Sequence, residues 1–297
     1  MDDSFSTYHP IINFGYFLVV LLFSMFFNHP VFLLISLISS VFYALVLKHI
    51  RRSLELNLLY MLPILLLIAL MNPLFSHGGV TIIGYWWTGN PITLESIVYG
   101  AVMAIMFIEV IIWFACYNTI MTSDKFIYLF GRIIPALSLV FSMVLRFVPK
   151  FQNHLKIVSN GQRCIGRDAS TGNFFQRARH GITILSIMVT WALENAIETS
   201  DSMVARGYGL KGRTSFSIFR FDSRDVVVFS IMVILLSYTC VGIGFGCAYA
   251  SYNPAIKYCG FTGYSISVYL TWFGFCLLPI FIDGYEELKW RHLRSEI

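Results

Sequence analysis

Six stretches of this chain run for fourteen residues or more with at most one charged side chain, and a chain built that way has few folds open to it. They are Ile11–Phe27, Val31–Leu47, Leu58–Met71, Ser96–Tyr117, Val226–Ala248 and Ser265–Ile282. Each approaches the roughly 20 apolar residues that carry a helix across a bilayer. Of 297 residues, 57% are hydrophobic and 12% charged, where soluble domains carry roughly 25% charge. Backbone polar groups in lipid must be satisfied within the segment. The expected fold is therefore all-α: a polytopic membrane protein with about six transmembrane helices. The start has no basic stretch and no small-residue cleavage site, so the first run reads as a retained helix. A weaker run, Val80–Trp87, is too short to cross and sits in a Gly-rich loop, with Trp86-Trp87 suited to the headgroup zone.

Basic residues set the expected orientation. Fourteen of the twenty-one lysines and arginines lie between Asn118 and Asp225, whereas Asn72–Leu94 holds none and the loop after the fifth run holds Lys257 alone. The positive-inside rule puts the middle, the Lys48–Arg52 loop and the tail with Lys289, Arg291 and Arg294 in the cytoplasm. Both termini are then cytoplasmic. Two further apolar runs, Ile133–Leu145 and Gly181–Leu193, are thirteen residues each, about 20 Å of helix against a hydrocarbon core of about 30 Å. Crossing there would carry Arg146, Lys150, Lys156, Arg163, Arg167, Arg177 and Arg179 outside. The expectation is that they lie at or beneath the membrane surface. Residues 1–117 are read as N-terminal membrane helices, 118–225 as a helical cytoplasmic or interfacial module, and 226–297 as C-terminal membrane helices and tail.

Within the module, "VARGYGLKGRTS", Val204 to Ser215, has two readings. Gly207, Gly212, Arg213 and Thr214 nearly fit a phosphate-binding loop, which needs a buried strand before its glycines. The preceding Met188, Ala192, Ile197, Ser200 and Val204 instead recur at helical spacing, Arg213 replaces the lysine, and no Walker B strand appears elsewhere. The helix reading explains more. Glu194, Glu198 and Asp201 fall at i, i+4 and i+7 as one acidic stripe. Gly207 and Gly209 suit a helix stop, and Arg206 projects from the last turn with a guanidinium able to make several directed hydrogen bonds. An arginine that only complements the helix dipole is the simpler alternative. A second cluster, Leu145 to Asp168, repeats the theme. Pro149 suits the first turn of a helix, and Gly161-Gln162-Arg163 and Gly166-Arg167 close it.

These stretches resemble one family, the transmembrane T component of energy-coupling factor (ECF) transporters. Arg146-Phe147-Val148-Pro149 resembles the start of the family's long coupling helices, and Gln162-Arg163 stands where its first motif begins. "ENAIETSDSMVARGYG", Glu194 to Gly209, resembles the second motif, and Gly212-Arg213-Thr214 the G-R-T that follows it. "NPLFSHGGVT" and "NPITLE" extend the likeness over most of the chain. The resemblance implies a coupling subunit of an ABC-type importer, not an enzyme, in the plasma membrane of a prokaryote. It implies two cytoplasmic ATPases as partners, together with a small membrane subunit that binds a vitamin or metal ion. ATPase docking falls to Ala205, Arg206 and Gly207 at one end and to Gln162, Arg163, Gly166 and Arg167 at the other. The coupling helices carry Arg146, Pro149, Glu194, Glu198 and Asp201. The first motif departs from the family's A-R-G or A-R-S, because Cys164-Ile165-Gly166 puts isoleucine where arginine is usual.

Other features stay minor. Six cysteines show no C-x-x-C pair and no histidine at metal spacing, so neither a metal nor a disulfide is expected, although Cys240 and Cys247 are read as sharing a helix face. No cofactor and no nucleic acid is implied. His9-Pro10 and His29-Pro30 read as helix starts, and Gly242, Gly244 and Gly246 as close helix packing. Glu109 is the one acid deep in a span and is expected to pair with a cytoplasmic-side arginine, or else to couple to protons. A membrane-embedded enzyme would need clustered acids or a His/Glu set, and a secondary transporter would show related halves with broken helices. Neither pattern stands out.

Overall fold

Pro10 fixes the backbone for a first helical turn, and the ring of His9 caps it: Nδ1 accepts from the Ile11 amide at 3.3 Å. From there α1 runs Pro10–Phe26, and α2, again with proline in its first turn, runs Pro30–Val46. The computed structural model describes residues 4–47, 63, 65–76, 78–85, 91–131, 135–167, 170, 172–210 and 219–295. Further helices are α3 (Leu65–Phe75), α4 (Leu94–Ile120), α5 (Ser123–Gly131), α6 (Pro135–Cys164), α7 (Phe174–Ala205), α8 (Ser223–Gly244), α9 (Gly263–Cys276) and α10 (Leu278–Ser295). Two small antiparallel hairpins complete it: β1 (Ile82–Tyr85) with β2 (Pro91–Thr93), and β3 (Ala250–Ser251) with β4 (Lys257–Tyr258). The fold is all-α in character. The Val80–Trp87 loop is in part strand β1, while Trp86 and Trp87 lie outside the described residues.

Among the described residues three helices, α4, α7 and α8, are long and apolar enough to cross a membrane, and α9 with α10 makes a fourth if the bent pair is one span. α1, α2 and α3 are shorter apolar helices. The thirteen-residue run at Gly181–Leu193 is the middle of a 32-residue helix that is apolar over a span's length. The sixth run is not one helix. It breaks at Leu277 with a 55° bend. Pro279 has no N–H for the Phe275 carbonyl, and the Cys276 carbonyl accepts the Tyr16 hydroxyl at 2.7 Å instead of continuing the helix. Cys240 lies in α8 but Cys247 follows its end, so the two do not share a helix. All six cysteines are free thiols.

The chain divides into two compact units, Met1–Lys125 with Phe219–Ile297, and Phe126–Ile218. In the first, α1 and α2 pack on α4, and α9 packs on α2 and α8. Its centre is aromatic: Phe23 stacks on Trp272 at 4.9 Å, Trp272 on Phe275 at 5.6 Å, and Phe275 on Tyr16 at 5.4 Å. Gly242 lets α8 approach α9, since a Cβ there would sit 2.4 Å from Val268 Cγ2. Buried polar groups tie the chain start to this core. The Phe5 amide donates to Asp283 at 2.9 Å and the His9 amide to Asp225 at 3.2 Å. Lys125 Nζ donates to the carbonyls of Ser6, at 2.5 Å, and Ile120, at 2.9 Å. Burial lowers the His9 and His29 pKa below the ordinary histidine value.

The second unit is built on α6 and α7, and here the proline expectation is corrected. Pro149 lies inside the 30-residue α6, not at the start of a helix. Its ring removes one donor, to the Leu145 carbonyl, yet the helix continues, with Lys150, Phe151 and His154 just beyond it held against α7. The helices run antiparallel. Lys150 Nζ donates to Asn195 Oδ1 at 2.5 Å, Phe151 meets Trp191 edge-on at 5.2 Å, and His154 stacks on Trp191 at 4.0 Å.

Candidate functional site

Both long helices of the second unit end in the same backbone device. At the end of α7, Gly207 has φ +79°; its amide donates to the Val204 carbonyl at 2.9 Å, and the Tyr208 amide reaches back to Met203 at 3.0 Å. At the end of α6, Gly166 has φ +77°; its amide donates to Arg163 at 3.0 Å, and the Arg167 amide to Gln162 at 2.9 Å. This is the paired helix-end motif in which a left-handed glycine lets two amides satisfy the last free carbonyls. The geometry aligns the ends residue by residue. Gly166 matches Gly207, Cys164 matches Ala205, and Ile165 matches Arg206. The capping position holds arginine at one end and isoleucine, 62% exposed, at the other.

The motif by itself does not mark a function, because α8 ends the same way at Gly246, with Cys247 donating to Gly242 at 3.1 Å. What sets the first two apart is position and charge. Arg163, Arg167 and Arg206 are exposed, as are Glu194, Glu198 and Asp201 on α7. With α6 and α7 antiparallel about Trp191, Cys164 lies ten residues beyond His154 and Ala205 fourteen beyond Trp191. At 1.5 Å per residue the two capped ends stand up to about 36 Å apart.

A cleft of about 640 Å³ follows the α7 end, and Arg146, Lys150, Glu198, Arg206 and Tyr208 line it. The structure thus brings Arg146 and Glu198 to the Arg206 end, whereas Gln162, Arg163, Gly166 and Arg167 belong to the other. Glu194 and Asp201 stand on α7 without lining that cleft, and Pro149 serves the body of α6. Trp191 and Asn195, which hold the crossing, went unnoticed in the sequence; an aromatic inside an otherwise apolar run carries no mark of its partner. Gly212, Arg213 and Thr214 lie outside the described residues, but the segment before Gly207 is helix α7 and not a strand. Among the described residues no three His, Cys, Asp or Glu side chains converge as metal ligands.

The fold and these ends define a class: a helical membrane protein carrying a separate unit of two long helices, each closed by a glycine next to basic residues. No family model matches the chain. It is 28% identical over 185 residues to the energy-coupling factor transporter transmembrane protein EcfT 1 of Listeria monocytogenes, covering 58% of this chain and 68% of that one. To the protein of that name, EcfT, from Lactococcus lactis it is 27% identical over 191 residues, covering 59% and 71%. A third, from Lactobacillus helveticus, is 36% identical over 102 residues, about a third of either chain. The chain is thus a relative of the EcfT transmembrane proteins, similar to them over more than half its length. Among the described residues it has helices long and apolar enough to cross a membrane, and its relatives are transporter components.

Proposed function

We propose that this chain is the coupling subunit of an ECF-type importer, in which the capped ends of α6 and α7 dock on two cytoplasmic ATPase subunits. The observation that carries it is the pair of matched glycine-capped ends on one antiparallel helix pair, up to about 36 Å apart. Two separated, exposed, basic tips suit two separate docking grooves. ATP-driven closure of the ATPases draws the tips together, and the helix pair carries that displacement to a small substrate-binding membrane subunit for a vitamin or metal ion. The bilayer is that of a prokaryotic cell, with both termini and residues 118–225 on the cytoplasmic side. The basic residues crowded between Asn118 and Asp225 support that side. The same charges argue that α7, though apolar over a span's length, lies along the membrane and does not cross it.

The unlike capping residues suggest that the two docks differ. Arg206 offers a carboxylate-bearing groove a bidentate donor, and Ile165 offers an apolar knob flanked by Arg163 and Arg167. The test is purification of tagged protein from its native membrane, wild type beside Arg206→Glu, with bound proteins identified and ATPase activity assayed. Wild type is expected to bring down nucleotide-binding subunits and a small membrane protein. Arg206→Glu is expected to lose ATPase activity. Wild type that comes down alone, or that binds ATP itself, overturns the reading.

A further inference from the structure

Glu109 lies on α4, fully shielded from solvent, in a setting unlike the arginine pairing expected of it. Its Oε1 is hydrogen-bonded to Ser24 Oγ of α1, and its Oε2 has no hydrogen-bond partner. Ser24 Oγ stands 3.4 Å from Ser36 Oγ of α2, which accepts the Trp113 indole N–H at 2.9 Å. Among the described residues no cation pairs with the carboxyl. The titratable groups that face this cluster are the Cys276 thiol from α9 and the Tyr16 and Tyr43 phenols beside Trp113. None of these can supply positive charge. An ionised carboxylate here would be desolvated and served by no more than the Ser24 and Ser36 hydroxyls, a far costlier arrangement than a neutral acid.

We propose that Glu109 is a resident carboxylic acid that latches three helices. Protonated on Oε1, it donates to Ser24 Oγ; the Ser24 hydroxyl in turn donates to Ser36 Oγ, which also accepts the Trp113 N–H. The donors of α4, the Glu109 acid proton and the Trp113 N–H, thus converge on Ser24 of α1 and Ser36 of α2. This role is positional. Glu109 holds α1, α2 and α4 in register.

Infrared spectroscopy of the full chain in lipid bilayers, with and without ¹³C-labelled glutamate, tests it. The expected result is a protonated-carboxyl C=O band at neutral pH that shifts on labelling and persists into mildly alkaline pH. Glu109→Gln should abolish the band and keep the thermal midpoint, because the amide N–H replaces the acid proton as donor to Ser24. Glu109→Ala should lower the midpoint. The proposal is overturned if wild type shows no such band, if the band titrates away just above neutrality, if it survives in Glu109→Gln, or if Gln destabilises as much as Ala. If the Gln variant does not fold, the labelled wild-type spectrum still decides.

Discussion

Replacing Gly207 with alanine tests whether the helix end must be capped before it can dock. At φ +79° an L-residue is disfavoured by roughly 1–2 kcal/mol. Alanine also stiffens the unfolded chain, which returns roughly 0.4–1 kcal/mol to overall stability. The frayed end is stiffened too, so that return also offsets part of the local loss. A Cβ at 207 would stand 3.0 Å from Leu210 Cδ1, the free end of a flexible side chain, so it adds only a small strain. The capped state thus loses about 1 kcal/mol net, a factor of about 5 at 1.4 kcal/mol per tenfold. Titration of purified ATPase onto the protein in lipid nanodiscs should show Kd rising by up to that factor. Gly207→Asn should fall between wild type and alanine, since asparagine tolerates the left-handed region better. Amide exchange at Tyr208, whose N–H closes the cap on Met203, should quicken in the same order. Wild-type affinity in Gly207→Ala, with Tyr208 exchange accelerated, would refute the idea that the cap aims Arg206.

Further tests concern the scaffold. Gly242→Ala drives a Cβ to within 2.4 Å of buried Val268 and should destabilise by about 1–3 kcal/mol, with Val268→Ala restoring part of the thermal midpoint; additive losses would deny the contact. Trp191→Ala removes its stack on His154, its edge contact with Phe151 and the Lys150 charge 5.4 Å over its ring, together about 2–3 kcal/mol. With the other cysteines replaced, spin labels at Cys164 and at a cysteine introduced for Tyr208 should show a broadened distance distribution, which Trp191→Phe keeps narrow. Acid should also weaken the first unit. His9 is held neutral by burial below its ordinary pKa, so the unfolded chain binds more protons as pH falls below about 6.5, and stability drops there. Asparagine caps a helix without titrating, so a His9→Asn midpoint that falls with acid as steeply as wild type would remove His9 from the account, leaving the slope to His29.

The helical class and both glycine stops were legible in the chain itself, because each rests on local physics. Uncharged runs require a bilayer or a deep core, and Gly166 and Gly207 permit a left-handed turn where the apolar period ends. Proline at 10 and 30 marked two helix starts for the same reason. Pro149 misled because propensity weighs one position, while the 30-residue α6 is held by contacts with Trp191 and Asn195, forty residues away. The partner of Glu109 was equally hidden. Charge rules nominate an arginine, but helices that bring Ser24 and Ser36 alongside α4 leave the carboxyl with hydroxyls. Sequence alone determined which segments form helices and where two of them stop. Only the tertiary structure decided that α6 and α7 run antiparallel, that Ile165 stands where Arg206 stands, and which groups meet Glu109, because each depends on packing between residues far apart in the chain.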